Sequence, residues 1–162
     1  MDGSIRTHMS MGDKIILRPL EYVDQPAAKG LILAGLKEHW GWIDPTRNPD
    51  LDDLCAVYAE ATCLVAQIDG VLVGTGFIVP REPGTAEIVR MSVAAAARRQ
   101  GIGRRILAQL IAAAVERGFS KIILETTATW QDAVQFYLAA GFRPTHQQDG
   151  DQYFEMRLPP HT

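Results

Sequence analysis

The sequence predicts an α/β protein in which one central mixed β-sheet is flanked by helices. A strand-like stretch at 87–93 leads through a glycine-rich turn into a long apolar-periodic helix, and a second strand follows at 121–125. This order favours a right-handed crossover and parallel pairing of the two strands. Asp-Gly pairs at 69–70 and 149–150 mark hairpin turns, so the rest of the sheet is expected to be largely antiparallel.

The N-terminal half is predicted to form strands and two helices. Pro19 ends the first strand, Asp24 is positioned to cap the first helix, and Asn48 or Asp50 begins the second. Two tryptophans, a histidine and two prolines make residues 39–49, between these helices, an aromatic loop. The strands of this half, recognised by their apolar alternation, are predicted at 14–18, 63–68 and 71–79.

The C-terminal half is predicted to contain two helices and three strands. The long helix begins at Ile102 and ends at Gly118, because a glycine suits the left-handed conformation that follows many helices. The strand at 121–125 is apolar enough to be buried on both faces. Thr129 is a candidate N-cap for the last helix, which ends at Gly141. The final hairpin is predicted to pair 142–148 with 152–158.

Length and composition indicate one domain. A chain of 162 residues, 47% of them apolar, can form a single core, and we expect residues 11–162 to form it. Residues 1–10 show no periodicity and are expected to be a tag-derived or disordered N-terminus. The net charge of −3 implies no general attraction to nucleic acid. No apolar run has the length of a membrane span, so a membrane is not an expected partner either.

The two cysteines of the chain, Cys55 and Cys63, give no sign of a metal site. They lack metal-ligand spacing and a nearby histidine, so we expect two buried, reduced thiols and no bound metal. Reduced thiols suit a reducing compartment, and a cytoplasmic protein is therefore expected.

The glycine-rich turn predicts a phosphate-binding site. Backbone N–H groups in the first turn of a helix have no intrahelical partner, and the helix dipole adds partial positive charge there. Gly101 and Gly103 let an anion approach this backbone closely. Neither common nucleotide motif fits, because Ile106 replaces the third Rossmann glycine and no Lys-Ser/Thr pair follows Gly103. Four arginines surround the turn: Arg98, Arg99, Arg104 and Arg105.

Three segments in order resemble the GNAT superfamily of acetyl-CoA-dependent N-acetyltransferases. They are Met91-Ser-Val93 followed by Arg98-x-x-Gly101-x-Gly103, then Ile122-Ile-Leu-Glu125, and then Ala133-Val-Gln-Phe-Tyr137 followed by Gly141-Phe142. The predicted order of helices and strands is similar to the GNAT fold over nearly the whole chain. The resemblance implies a GNAT acyl-CoA N-acyltransferase fold and an enzyme that uses acetyl-CoA as its co-substrate.

The resemblance also implies the cofactor-binding residues. In the family, the central strand bends away from the next one and its main chain bonds the pantetheine arm, here through Met91, Ser92 and Val93. Core packing is the alternative role of the Met91 and Val93 side chains. Trp130 stands where the bacterial ribosomal-protein alanine acetyltransferases carry a CoA-contacting asparagine, so it can pack against the cofactor but cannot accept a hydrogen bond. The pyrophosphate would be held by the turn of Arg98, Arg99, Gln100, Gly101, Ile102, Gly103 and Arg104.

By the same resemblance, Tyr137 lies near the CoA sulfur and acts as general acid, and the backbone N–H of Val93 stabilises the oxyanion. A core aromatic is the alternative role of Tyr137. The general base stays open between Glu125, Glu87 and a chain of waters. The structural alternatives are hydrogen bonds between Glu125 and local threonines, and an ion pair between Glu87 and an arginine.

In the family, the region after the first helix lines the acceptor pocket. His39, Trp40 and Trp42 are therefore candidates to line it, with Arg90 as a further one, and a packed aromatic cover over the sheet is the alternative for the tryptophans. We expect direct acetyl transfer to the primary amine of a small-molecule or amino-acid-like acceptor. The alternatives are a protein lysine or N-terminal acetyltransferase and a CoA-binding module without catalysis. A homodimer is an open alternative to a monomer, because many relatives are dimeric.

Overall fold

The structure, a computed structural model, describes residues 14–160 and shows one seven-stranded mixed sheet within them. Its strands are β1 Ile15–Pro19, β2 Thr62–Ile68, β3 Val71–Pro80, β4 Thr85–Val93, β5 Lys121–Thr127, β6 Arg143–Gln148 and β7 Asp151–Arg157. They lie in the order β1-β2-β3-β4-β5-β7-β6. The β4–β5 pair is parallel and the other neighbouring pairs are antiparallel. The expected tag or disordered segment at 1–10 lies outside the described residues.

Helices cover both faces of the sheet, as the predicted fold class requires. They are α1 Gln25–Trp40, α2 Leu54–Val57, α3 Ile102–Glu116 and α4 Gln131–Ala139. On the face that we call the α3 face, the apolar stripe of α3 is buried together with Ile122 and Leu124 of β5 and Tyr137 of α4. On the opposite, α1 face, α1 and α2 pack around Phe77. Burial of these two apolar clusters is the main term that stabilises the layered arrangement.

Two glycines of β3 let α3 approach the sheet closely. A Cβ atom built on Gly76 would lie 2.5 Å from Ile106 Cγ2 and 2.5 Å from Met91 Sδ. A Cβ atom on Gly74 would lie 2.9 Å from Ile106 Cδ1. Protein interiors are close-packed and cannot absorb such overlaps without moving the helix. The glycines therefore hold the N-terminal half of α3 directly against the sheet.

The segment between α1 and β2 differs from the predicted aromatic loop and second helix. The helix α1 continues through His39 and Trp40 and ends at Gly41, whose φ is +72°. Both aromatic residues therefore lie on the last helical turn rather than in a loop. The predicted second helix is the single turn α2, preceded by 3₁₀ turns at Pro45–Arg47 and Pro49–Asp52. Proline has no backbone N–H for a continuing helix, which accounts for the short turns.

Three further details differ from the sequence-based prediction. Asp24 precedes α1, but its carboxylate does not cap the helix and instead accepts hydrogen bonds of 2.7 and 2.8 Å from Arg18. Trp130, not Thr129, is the N-cap residue of α4. The strand β5 is buried on one face only, because Glu125 is exposed. These three predictions were wrong, because tertiary contacts rather than local sequence signals decided the surroundings of these side chains.

Candidate active site

A bulge in the middle of β4 turns one charged side chain toward the α1 face. Arg90 has φ +55°, and the pairing of β4 with β3 loses register between Thr75 and Phe77. The buried hydroxyl of Thr75 donates a 2.7 Å hydrogen bond to the carbonyl oxygen of Arg90 and holds this conformation. An inserted residue breaks the strict alternation of a strand. Arg90 therefore follows Val89 on the α1 face instead of entering the α3 core.

The parallel strands β4 and β5 separate after a short paired region. They pair over three residue pairs, the last of which is Glu87 opposite Ile123. Both strands continue beyond this point without pairing to each other. We call the space between residues 88–93 and 124–127 the β4–β5 gap. Such a gap leaves backbone donors and acceptors on both of its edges without sheet partners.

The backbone of Val93 faces the β4–β5 gap. The N–H of the next residue, Ala94, donates a 2.8 Å hydrogen bond to Val73 of β3. Backbone groups of successive strand residues point to opposite neighbours. The N–H of Val93 therefore points away from β3 and toward the gap.

The turn between β4 and α3 has the geometry of an anion site. Gly101 is the N-cap residue of α3 with φ +79°, and an added Cβ atom there would meet nothing within 4 Å. A Cβ atom on Gly103 would lie 3.6 Å from both Phe136 and Val93, so this glycine faces the gap. The side-chain oxygen of Gln100 is buried and has no hydrogen-bond partner within residues 14–160. Open space and free backbone N–H groups at a helix start fit a phosphate, whereas the Gln100 oxygen could accept a hydrogen bond only from a donor group of the same ligand.

The arginines of this turn differ in their partners. Arg98 forms a bidentate pair with Glu38 on the last turns of α1, with N–O distances of 2.5 and 2.6 Å. Hydrogen bonding and the charge of Arg98 lower the pKa of the exposed Glu38 carboxyl. Arg99 and Arg104 are exposed and form no ion pair with any described residue. Positive charge thus remains available beside the helix start.

A second contact joins the end of α1 to the start of α4. The ring of His39 stacks on Trp130 with centroids 3.9 Å apart, and Trp40 is tilted against the same indole at 5.5 Å. We call these three residues the aromatic bridge. Together with the Glu38–Arg98 pair, it links α1 on one face of the sheet to the turn and helix that border the gap on the other.

The end of α1 and the segment after it border an open surface cavity of about 470 Å³, which we call the tryptophan cavity. Its apolar wall is formed by Leu36, Trp40, Trp42 and Ile43, and its polar rim by Asp44, Arg47 and Asn48. Trp40 is 60% exposed and Trp42 is 72% exposed. The alternative in which the tryptophans cover the sheet is therefore wrong for both, because neither indole is packed into the core.

Arg90 is held by a polar network beside this cavity. Its guanidinium donates to both carboxylate oxygens of Asp50, at 2.7 and 2.9 Å, and to Asn48 at 3.1 Å. Asp50 also accepts a 2.6 Å hydrogen bond from the Tyr58 hydroxyl. Burial favours a higher pKa for Asp50, but the hydrogen bonds from Arg90 and Tyr58 outweigh it, and its pKa is lowered. Burial and the Asp50 hydrogen bond raise the pKa of Tyr58 to about 12.

Tyr137 lies on the α3 face, in the second half of α4. Its side chain is 8% exposed and its ring contacts Phe136, Phe142 and Phe154. Burial raises its pKa above the ordinary value, because a phenolate is poorly solvated among aromatic rings. The phenol therefore keeps its proton at neutral pH. The ring of Tyr137 is part of the buried apolar cluster, so the residue is a core aromatic, as the alternative from the sequence proposed. This packing leaves a chemical role for its hydroxyl open.

The two candidate carboxylates have different surroundings. Glu87, in the last paired position of β4, accepts a 2.6 Å hydrogen bond from Arg81, which is the ion pair considered as its structural alternative. Glu125 lies beyond the paired region of β5, directly across from Tyr153 of β7. A hydrogen bond to Glu125, followed by burial, raises the pKa of Tyr153 to about 12. Glu125 thus has a tyrosine partner rather than the threonines considered from the sequence.

The sequence profile of the acetyltransferase (GNAT) family matches residues 32–142, which include every element around the gap. The chain belongs to the GNAT family. The fold and the enzyme class predicted from the sequence are confirmed by this match, and the chain is an N-acetyltransferase.

Individual GNAT relatives agree with this assignment. An uncharacterised N-acetyltransferase of Escherichia coli K12, YjgM, is 30% identical over 135 residues, which cover 78% of this chain and 81% of that protein. The IAA acetyltransferase of Azospirillum brasilense is 32% identical over 113 residues, or 68% of this chain and 74% of that protein. The structure of a PaiA N-acetyltransferase from Thermoplasma acidophilum with coenzyme A has a TM-score of 0.79 at 17% identity, over 93% and 100% of the two chains.

Most residues predicted for a GNAT active site come together around the β4–β5 gap. The turn at 98–104, the strand segment 91–93 and the rings of Trp130 and Tyr137 lie on or near its α3 side. Glu125 lies on the α1 side of β5, because Ile122 and Leu124 alternate with it toward α3. Glu87 lies at the end of the gap where β4 and β5 are still paired. Trp42 does not border the gap and lies in the tryptophan cavity.

Sequence reasoning missed four residues that hold this GNAT site together. Glu38 pairs with Arg98, and Arg90 is held by Asn48, Asp50 and, through Asp50, by Tyr58. An arginine within an otherwise apolar strand requires a counter-ion. The position of Arg90 in the sequence therefore indicated that some carboxylate would pair with it. Nothing in the local sequence identified which carboxylate would supply it.

The described residues of this GNAT protein form neither a membrane-spanning helix nor a three-ligand metal cluster. Between residues 14 and 160, no helix is both long and apolar enough to cross a membrane. In the same region, no three His, Cys, Asp or Glu side chains converge as metal ligands. Cys55 and Cys63 are unbonded and half-buried, and burial, with a smaller effect of Cys55, raises the pKa of Cys63 to about 12.

Proposed function

We propose that this protein transfers the acetyl group of acetyl-CoA directly to the primary amine of a small-molecule or amino-acid-like acceptor. One observation carries the proposal. The β4–β5 gap has a phosphate-type turn on one side of the sheet and the tryptophan cavity on the other. A thioester that passes through the gap from the turn would meet an amine that approaches from the cavity side, and proximity of this kind supplies much of the rate.

The cofactor is expected to bind along the α3 side of the gap. Backbone N–H groups of residues 99–104 would hold the pyrophosphate, with Arg99 and Arg104 adding charge and Arg98 held beside them by Glu38. The free backbone edge at 91–93 would bond the pantetheine arm, and the unpartnered side-chain oxygen of Gln100 is suited to accept a hydrogen bond from a ligand. Trp130 would pack against the cofactor while it stays in the aromatic bridge.

Three groups would carry the chemistry. The amine loses a proton to Glu125 and attacks the thioester carbonyl carbon, and the N–H of Val93 stabilises the oxyanion that forms. The C–S bond then breaks, the amide forms, and Tyr137 gives its proton to the leaving thiolate. Burial raises the pKa of Tyr137, so the phenol still holds its proton when the thiolate departs, although the shift makes it a weaker acid than an exposed phenol.

Glu125 is favoured over Glu87 as general base. The Glu87 carboxylate is engaged with Arg81 at 2.6 Å and would have to leave this partner to take a proton from an amine. Glu125 forms no ion pair with a described residue, borders the open part of the gap and lies on the same face as the tryptophan cavity. A chain of waters is the remaining alternative.

The experiment combines calorimetry with a turnover screen. Acetyl-CoA is titrated into the purified protein, and thiol release is then followed with amines, amino acids, lysine peptides and peptides with a free N-terminus. We expect saturable heat with acetyl-CoA, thiol release with small amines, and an acetylated product by mass spectrometry. Thiol release with peptides only would instead identify a protein acetyltransferase.

Two negative results have different meanings. Heat with acetyl-CoA but no thiol release from any acceptor would contradict catalysis and favour a CoA-binding module. No heat with acetyl-CoA, on protein whose circular dichroism shows an intact fold, would contradict the assignment of the glycine turn.

A further inference from the structure

The tryptophan cavity has the composition of a site for an apolar side chain. Trp40 and Trp42 expose most of their indole surface beside Leu36 and Ile43. Burial of apolar surface stabilises a complex by roughly 25 cal/mol per Å² removed from water. A volume of about 470 Å³ lies in the range typical of small-molecule pockets, roughly 300–1,000 Å³.

The charges around this cavity occur in opposite pairs. Arg47 lies 3.9 Å from Asp44, whose carboxylate also accepts hydrogen bonds from Thr46. Beside the cavity, Arg90 is paired with Asp50 at 2.7 Å. Among the residues that line the cavity, the charges of Asp44 and Arg47 cancel, so the lining has no net negative charge. A second ammonium group on a diamine or polyamine would therefore gain little electrostatic attraction there.

Two contacts connect residues of the cavity wall to elements that border the β4–β5 gap. Trp40 contacts Trp130 of the aromatic bridge at 5.5 Å, next to the start of α4. Asn48, on the polar rim, accepts the hydrogen bond from Arg90, which directly precedes Met91 at the edge of the gap. A ligand side chain that packs on the two indoles would therefore lie beside the helix start and the strand that border the β4–β5 gap.

From these contacts, and on the basis of the proposed function, we propose that the acceptor is a primary amine with one bulky apolar or aromatic group, which binds in the tryptophan cavity. Polyamines and lysine side chains are then poor acceptors, because a flexible alkyl chain packs less well against the indoles than an aromatic group does. Polyamines also carry a second positive charge. Trp42 is the residue that determines specificity, since it lines the cavity without taking part in the aromatic bridge.

The test measures kcat/KM by thiol release at saturating acetyl-CoA for 2-phenylethylamine, ethylamine, cadaverine and a lysine peptide. In the natural protein, we expect kcat/KM for 2-phenylethylamine to exceed that of the other three by about tenfold or more, as one buried aromatic group allows. Trp42→Ala should bring the ratio between 2-phenylethylamine and ethylamine close to one, mainly through KM. Trp42 is exposed, so this variant should fold.

Tyr22→Ala is the matched control, because Tyr22 is an exposed aromatic residue outside the cavity, 77% exposed. It should leave the ratio unchanged. The inference is overturned if cadaverine or the lysine peptide matches 2-phenylethylamine, or if Trp42→Ala lowers kcat/KM for all amines equally. Those outcomes keep the proposed function, whereas the absence of thiol release with every acceptor overturns both.

Discussion

Tyr137 combines a buried ring with a polar hydroxyl in the apolar cluster of the α3 face, against which Met91 and Val93 also pack. Its ring is enclosed by three phenylalanines, and no described residue forms a hydrogen bond with its hydroxyl. Burial raises its pKa, so the phenol holds its proton over the whole neutral range. A hydroxyl without a protein partner bonds water or a ligand atom, and a leaving thiolate could take that place.

Tyr137→Phe keeps the aromatic packing and removes only the proton. We expect kcat to fall by about one to three powers of ten, with the affinity for acetyl-CoA nearly unchanged, because the loss is confined to the leaving-group step. In the natural protein, loss of activity from Tyr137 ionisation should appear only above the ordinary phenol pKa of about 10. Tyr22→Phe, at an exposed position, is the control; an unchanged kcat in Tyr137→Phe would show that the thiolate leaves without this acid.

The choice between the two carboxylates is testable through the pH dependence of kcat/KM. If Glu125 is the base, Glu125→Gln should lower kcat/KM by about 10²- to 10⁴-fold and remove the acidic limb of the profile. Glu87→Gln should keep that limb, since the Glu87 carboxylate is held by Arg81. The reverse pattern would assign the base to Glu87, and an acidic limb in both variants would favour a water chain.

At the scale of secondary structure, the start of α3 is the element that defines the cofactor side. Glycines at 74 and 76 bring α3 against the sheet, and Gly101 opens the helix in a left-handed conformation. Gly103 faces Val93 and Phe136 across the gap. A helix start that is fixed in this way presents its backbone N–H groups without rearrangement, which favours tight anion binding.

Gly103→Val should interfere with the cofactor more than with the fold. The first added carbon would make ordinary contacts of 3.6 Å, while the two methyl groups would narrow the path of the cofactor. We expect the Kd for acetyl-CoA, measured by calorimetry, to rise about tenfold or more, equivalent to about 1.4 kcal/mol. Gly30→Val is the control, because it also places a β-branched residue in a helix, at a position in α1 where an added Cβ meets nothing within 4 Å. It should leave the Kd for acetyl-CoA unchanged. An unchanged Kd would contradict the role of the turn.

At the scale of the whole molecule, one ion pair ties the first strand to the first helix. Asp24 is 7% exposed, is held by both terminal nitrogens of Arg18, and also accepts the Glu21 N–H at 2.8 Å. Hydrogen bonding from Arg18 outweighs burial and lowers the pKa of Asp24. A carboxyl whose pKa is lower in the folded state stabilises the fold above its unfolded pKa and loses this effect as the pH falls through the folded value.

Asp24→Asn should therefore destabilise the protein in a pH-dependent way. At pH 7 we expect the free energy of unfolding, from urea titration, to fall by about 1–3 kcal/mol, because Arg18 loses its charged partner. The difference from the natural protein should shrink as the pH drops below about 4, the ordinary range of an aspartate. Asp52→Asn, in the exposed pair with Lys29, should cost less than about 0.5 kcal/mol. A constant difference down to the lowest pH would contradict the pairing.

The sequence by itself determined the parts of this protein that depend on near neighbours in the chain. Apolar periodicity predicted the strands and the long helix, Asp-Gly pairs predicted both hairpins, and the Arg98-x-x-Gly101-x-Gly103 turn predicted an anion site at the start of α3. These signals are local, because backbone propensity and side-chain period act over a few residues.

Only the tertiary structure decided how distant charges and rings are paired. The partners of Arg98 and Arg90 come from segments at least 40 positions away, and Trp130 meets His39 across the sheet. The bulge that turns Arg90 to the α1 face arises from its pairing with β3. Contacts of this kind depend on how the layers pack, and a packing arrangement is set by the whole chain rather than by any one stretch of it.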